Sequence, residues 1–263
     1  MARLRGRLTR EHIVLVEQPA SYSVGAMLGI STASHGSIQW TPDRGTKVHV
    51  LHRESATWTT HLVAPFFFFH VANAFDTADG VAVDVCTFDD AEILTSLRLD
   101  RLTDDDLVAD LPQSRLSRLT IGPNGCTRAP LDDMSVTGGF ADLPTINTAY
   151  AGSPDYRYVY AIGARRPTPI SNLLAKIDVS GGGGGASFHV DGSLPGEPLF
   201  IPRPGGTAED DGAVLAMSTD DDGGSSLCVL DAADMRLLAR CRSPVPLPAG
   251  FHATWIADAD GQL

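Results

Sequence analysis

Short apolar or alternating runs recur along the whole chain, each bounded by Gly, Pro, Asp or Asn, and that punctuation points to many strands joined by turns. The runs that read as strands are Ile13–Glu17, Gly36–Trp40, Lys47–His52, Ser55–Leu62, Gly80–Phe88, Arg115–Ile121, Tyr156–Ile162, Asn172–Asp178, Ala186–Val190, Leu199–Pro202, Ala213–Ser218, Ser226–Asp231 and Leu237–Arg242. Helical periodicity is scarce, so the fold class is all-β. A sandwich, a barrel and a propeller all use such strands, and no strict internal repeat chooses among them.

At 263 residues with 43% hydrophobic content, the chain is long enough to bury one large core, and a single domain over 1–263 is expected. The glycine run Gly181–Gly185 lies between two strand-like segments and reads as a lengthened hairpin turn rather than a linker. Asp220–Asp222 with Gly223 and Gly224 reads as a solvated turn. The stretch Asp89–Asp110 is the least regular and reads as a surface excursion with a short helical turn.

Thirty-two acidic against 20 basic residues give a formal net charge of -12, which opposes binding to nucleic acid or to an anionic membrane surface. Arg3, Arg5, Arg7 and Arg10 open the chain, but no apolar run of the secretory type follows them, and no stretch reaches membrane-spanning length. A soluble, cytoplasmic protein is expected. Peripheral contact of one loop with lipid needs no signature that a sequence would reveal. The four cysteines, Cys86, Cys126, Cys228 and Cys241, form no C-x-x-C pair, and read as reduced, mostly buried thiols.

Pro65 is followed by four phenylalanines, Phe66 to Phe69, and then by His70. Side chains alternate across a strand, so four consecutive aromatic residues fit only where both faces are covered. Beside such a wall, His70 taken alone reads more readily as a core histidine than as a metal ligand. Glu197 taken alone reads as an exposed turn glutamate. His12, His35, His49, His52, His61 and His189 show no paired spacing of the metal-binding kind; His49 and His52, three apart on a strand, point to opposite faces. Glu209, Asp210 and Asp211 read as a turn whose side chains cap backbone amides, and Arg203, Gly205 and Gly206 as turn geometry, since no helix follows to bind phosphate.

Five further segments follow the Phe-His segment in order: Asp142-Leu143-Pro144-Thr145-Ile146-Asn147, Tyr156-Arg157-Tyr158-Val159-Tyr160-Ala161, the run from Glu197-Pro198-Leu199-Phe200 to Gly206, Glu209-Asp210-Asp211-Gly212, and Gly250-Phe251-His252-Ala253-Thr254-Trp255. Together they resemble the carotenoid cleavage oxygenases, a family that includes stilbene-cleaving dioxygenases and the retinoid isomerase of the visual cycle. The resemblance runs from about Thr9 to Trp255. It implies a seven-bladed β-propeller that holds a single ferrous iron, Fe(2+), on its axis with four histidines. With dioxygen such an enzyme cleaves a carbon–carbon double bond of a carotenoid, apocarotenoid or stilbene-like substrate to carbonyl products. All-imidazole ligation suits Fe(II) and leaves positions open for dioxygen.

By position, the resemblance makes His70 and His252 metal ligands. It makes Glu197 one of the carboxylates that accept an imidazole N–H and fix the ring. Asp142 stands where the family usually has another glutamate, and its shorter side chain lengthens that reach or requires a water. The segment Thr9–Pro19 resembles the strand after the family's second iron histidine, which puts Leu4 at a ligand position. The first ligand and its blades are then expected upstream of Met1, so the propeller reads as incomplete at its N-terminus. Such a piece is expected to have open sheet edges, marginal stability and a tendency to aggregate. The partners implied are an apolar small molecule, dioxygen and a complementing chain with the missing blades. The alternative is a non-catalytic fragment that serves as a binding or assembly module.

Overall fold

The computed structural model describes residues 2–98, 111–166, 168, 171–181, 184–189 and 192–256, with backbone alone for 2–5. The chain divides into two compact units, Met1–Pro130 with Gly152–Pro154, and Leu131–Ala151 with Asp155–Leu263. Each unit carries two antiparallel sheets.

In the first unit, one sheet consists of β1 (Ala2–Leu8), β2 (His12–Tyr22), β3 (Ile38–Trp40), β4 (Thr46–His52) and β5 (Thr57–Val63), ordered β1-β2-β4-β5 with β3 paired to the far end of β2. The other is the meander β6 (Phe67–Thr77), β7 (Gly80–Phe88), β8 (Ser114–Gly122) and β9 (Gly125–Pro130). Alternating valines of β2 and β4 (Val14, Val16, Val48, Val50) share one core with Phe66, Phe68, Val71, Val81, Val83 and Val85. Phe66, Phe67 and Phe68 are all fully buried, so both faces of their strand are covered as the sequence requires. Each buried phenylalanine contributes about 1.5–3 kcal/mol.

In the second unit, β10 (Asp142–Thr145), β11 (Tyr158–Gly163), β12 (Leu173–Asp178) and β13 (Gly185–His189) form a meander. The last sheet has β14 (Ser193–Pro195) and β15 (Leu199–Pro202), both paired to β16 (Gly212–Asp220), followed by β17 (Ser225–Asp231) and β18 (Leu237–Arg242). Tyr160 of β11 stacks on Phe200 of β15 at 5.5 Å, and its hydroxyl donates to the Ala232 carbonyl at 3.0 Å.

The central strands β7 and β12 are buried almost throughout; β7 carries one charge, Asp84, and β12 two, Lys176 and Asp178, the latter bonded by Arg157 at 2.7 Å, and all three are paired. Asp84, fully buried, accepts two bonds of 2.8 Å from Arg118 directly across the β7–β8 ladder. Lys176 donates to Asp210 at 2.6 Å and to the Ala233 carbonyl at 2.7 Å, beneath the Tyr158 ring.

β1, β6, β9, β10 and β14 are absent from the sequence reading. β10 and β14 are too short to show alternation, and β6 is concealed by its aromatic run. The acid-rich stretch does carry a helical turn, α2 (Ile93–Ser96), the second after α1 (Val24–Met27); its portion from 99 to 110 lies outside the described residues. The glycine run joins β12 to β13 as a hairpin, with Gly185 already in the strand and positions 182 and 183 outside the described residues. Cys86 and Cys228 are buried, Cys126 is half-buried and Cys241 is exposed, and no disulfide joins them; burial pushes the Cys126 thiol up to about 11.

Two readings of acidic turns need correction. Asp220 does not belong to a solvated turn: it ends β16 and is buried. It accepts bonds from Ser193 (2.7 Å), Ser226 (2.7 Å) and Arg240 (2.7 Å), because the β14 and β17 hydroxyls flank it in the ladder. Glu209 caps amides, but distant ones, taking the Arg157 and Tyr158 N–H groups at 2.8–2.9 Å and so fixing the start of β11. Asp211 bonds Arg203 at 2.6 Å across the turn that contains Gly205 at φ 74°.

Candidate metal centre

In the first unit, His70 lies on β6, the outer strand of its sheet. Phe68 pairs with Thr87 and Val71 with Val85, so Phe69 and His70 together occupy the space opposite Cys86. One extra residue of this kind is a β-bulge, which locally twists a strand and re-aims its side chains. A second shift follows between Val71 and Asn73. These shifts let Phe66, Phe68, Val71 and Ala74 share one core, which an unbroken period of two forbids. The Phe69 ring stands 6.0 Å from His70, 4.9 Å from Phe67 and 5.9 Å from Phe88.

In the second unit, Glu197 lies on the three-residue link between β14 and β15. Pro195 pairs with Ser218 and Leu199 with Leu215, so four steps on one side face three on the other. Pro195 and Pro198 bracket the link, and neither has an N–H to give to a ladder. After β18 the chain turns back along this sheet. The Ser225 hydroxyl takes the Leu247 N–H at 2.9 Å, and Glu197 takes the Ala253 N–H at 2.8 Å through Oε2. Glu197 Oε1 lies 3.0 Å from His252 Nδ1.

The carboxylate therefore holds both the backbone and the ring of this segment. With Nδ1–H donating to Glu197, Nε2 becomes the imidazole atom that carries the lone pair. The Glu197 side chain is 16% exposed and that of His252 is 52% exposed. Both line a small pocket of about 150 Å³ whose walls include Leu199, Leu215, Met217, Leu227 and Phe251.

The structure brings Glu197 and His252 together. Asp142 is buried at the start of β10, in the preceding sheet of the same unit, opposite Ile162. Leu4 lies on β1 opposite Glu17. Among the described residues, no group of three or more His, Cys, Asp and Glu side chains is gathered as a metal cage.

Two histidines without an assigned role are also oriented by carboxylates, which spacing does not reveal because the partners lie far away in sequence. His12 Nδ1 is 2.7 Å from Asp76 Oδ1. His49 lies between Glu17 at 3.1 Å and Thr60 at 3.0 Å, so both of its ring nitrogens have protein partners. The His252 pair lines an apolar pocket.

Antiparallel sheets in this order define the fold of the apocarotenoid oxygenase β-propellers. A variant of the Synechocystis apocarotenoid oxygenase superposes with a TM-score of 0.82 at 24% identity, over 97% of this chain and 53% of that one. The cobalt-substituted form of the same oxygenase gives 0.81, with the same identity and coverage.

The chain belongs to the retinal pigment epithelial membrane protein family, whose model matches residues 7–257. It is 34% identical to a chloroplastic carotenoid cleavage dioxygenase 8 of Arabidopsis thaliana, over 95% of this chain and 45% of the relative. It is 27% identical to a mitochondrial carotenoid-cleaving dioxygenase of Mustela putorius furo, over 95% and 53% respectively. The chain thus spans about half the length of the curated relatives it matches.

Proposed function

We propose that this chain is part of a non-haem iron(II) dioxygenase that cleaves a carbon–carbon double bond in a carotenoid, apocarotenoid or stilbene-like substrate to give carbonyl products. The observation that carries the reading is the Glu197–His252 pair, an imidazole oriented by a carboxylate at the edge of an apolar pocket. Its chemistry fits a divalent iron: an imidazole whose Nδ1 faces a carboxylate and whose Nε2, on the far side, is the ligand atom. His252 and His70 are the residues that would ligate iron. Glu197 would orient the first of these, and Asp142 is proposed as a further orienting carboxylate.

When bound, ferrous iron supplies the reactivity with dioxygen that these side chains lack. The protein's own part is to hold the His252 proton on Nδ1, to keep the 250–253 backbone in place through the Ala253 amide, and to keep water away with leucine, methionine and phenylalanine walls. An apolar polyene matches such walls. The same substrate class gives meaning to Val24, Met27, Leu28 and Ile30, which are all exposed on and just after α1. We read them as a point of contact with a lipid surface from which the substrate is drawn.

Titration of the metal-free chain with iron(II) or cobalt(II) tests the ligand assignment. His252→Ala is expected to abolish the site, and Glu197→Ala to weaken it about 10–100-fold. Unchanged affinity in His252→Ala removes the reading.

The second reading, a non-catalytic binding or assembly module, is favoured by one observation: among the described residues no three metal-binding side chains are gathered. A second polypeptide that brings further imidazoles would reconcile the two readings.

A further inference from the structure

We infer that Gln18 is a positioning residue for His70, acting through the backbone of the bulge; this rests on the reading of His70 as a metal ligand. β6 is the outer strand of its sheet, so the backbone groups that face away from β7 have no ladder partner of their own. Three polar side chains from the other sheet of the same unit satisfy them in turn. Thr46 of β4 takes the Phe66 N–H at 3.1 Å and donates to the Phe66 carbonyl at 3.4 Å. Gln18 of β2 takes the Phe68 N–H through Oε1 at 2.9 Å. The Arg7 guanidinium of β1 donates to the Val71 carbonyl.

The spacing of these contacts carries the argument. From Phe66 to Phe68 the step is two, the period of a strand. From Phe68 to Val71 it is three, and the extra residue falls within the Phe69–His70 bulge. Gln18 and Arg7 thus grip the strand on either side of the residue that the bulge re-aims. The Phe68 amide requires an acceptor, so the orientation of the Gln18 carboxamide is settled by its partner.

Gln18 is 1% exposed, and its Nε2 has no partner among the described residues. Burying an amide nitrogen in that condition costs about 1–3 kcal/mol. An apolar side chain of similar length would fill the space without that cost but would leave the Phe68 amide unsatisfied. The oxygen is therefore what the residue contributes. Without it, the Phe68 backbone at the mouth of the bulge is held through the β7 ladder alone, and His70 loses its fixed direction.

The test uses the full chain, with His70 identified by the ring resonance that disappears from the NMR spectrum in His70→Ala. Gln18→Met keeps the length and removes the acceptor. It is expected to shift or broaden the His70 ring resonance and to lower cobalt(II) affinity about 10–100-fold, the usual effect of losing support behind a ligand. Gln18→Glu keeps an acceptor oxygen for the Phe68 amide and should restore both readouts. Thr46→Val removes the grip at Phe66, before the bulge, and should leave both unchanged in a folded chain.

A His70 resonance and cobalt affinity in Gln18→Met equal to those of the parent overturn the inference. So does a Thr46→Val variant that disturbs His70 as much as Gln18→Met does. If His70→Ala itself leaves cobalt binding unchanged, the ligand reading falls instead, and the ring resonance in Gln18→Met still decides whether Gln18 positions His70.

Discussion

Burial alone would push the Asp220 carboxyl up, yet donation from the Ser193 and Ser226 hydroxyls and from Arg240 outweighs it and holds the value at about 2. A carboxylate whose folded value lies below its ordinary 3.8 adds stability above that value and loses it as pH falls towards 2. Denaturant midpoints measured from pH 7 down to pH 2 should therefore fall less steeply below pH 4 in Asp220→Asn than in the parent. Equal slopes would show that Asp220 is no anchor. None of this is visible in the Asp220-Asp221-Asp222-Gly223 run, since the three donors come from other strands of the sheet. His252 and Glu197, 55 positions apart, carry no local signal either; family position alone singles them out, and the fold supplies the 3.0 Å contact. Gln18 had no signal at all, because a lone amide in an apolar strand is compatible with many roles.

Both candidate ligands depend on the same backbone device. His70 sits in a one-residue excess on the outer strand β6, and Glu197, which holds His252, sits in a one-residue excess between β14 and β15. An edge strand can carry such an excess because only one of its sides is tied to a ladder. Alternating patterns reveal strands with a regular period of two, such as β4 and β16, and they lose strands in which bulges break that period. This is why β6 read as a buried aromatic run. At the same scale, α1 is capped by Ser23 on the Ala26 amide, yet it buries no residue, and Ile30 beyond it is 79% exposed. If this segment meets lipid, the chain should co-sediment with zwitterionic phosphatidylcholine vesicles, and Leu28→Ser with Ile30→Ser should reduce the bound fraction severalfold, at about 1.5–3 kcal/mol per large apolar side chain withdrawn from water. Equal retention of the double variant and the parent would refute the contact.

For the molecule as a whole, the all-β class was legible in turn punctuation, but the choice of a propeller was not. Sandwich, barrel and propeller strands look alike locally, and only the ordered motifs from the Phe-His segment to Gly250–Trp255 separated them. The division into two compact units was also hidden, because Leu131 and its neighbours show no change of composition at that boundary. Family membership over residues 7–257 and the dioxygenase names of the relatives support oxidative cleavage of a polyene, while the chain spans about half of those relatives. One experiment tests the proposed cleavage: the iron(II)-loaded chain is incubated with an apocarotenoid under heavy-isotope dioxygen, and the products are weighed by mass spectrometry. Carbonyl products that carry the heavy oxygen are expected, and their loss in His252→Ala. Carbonyl oxygen drawn only from water, or cleavage undiminished in His252→Ala, would contradict it.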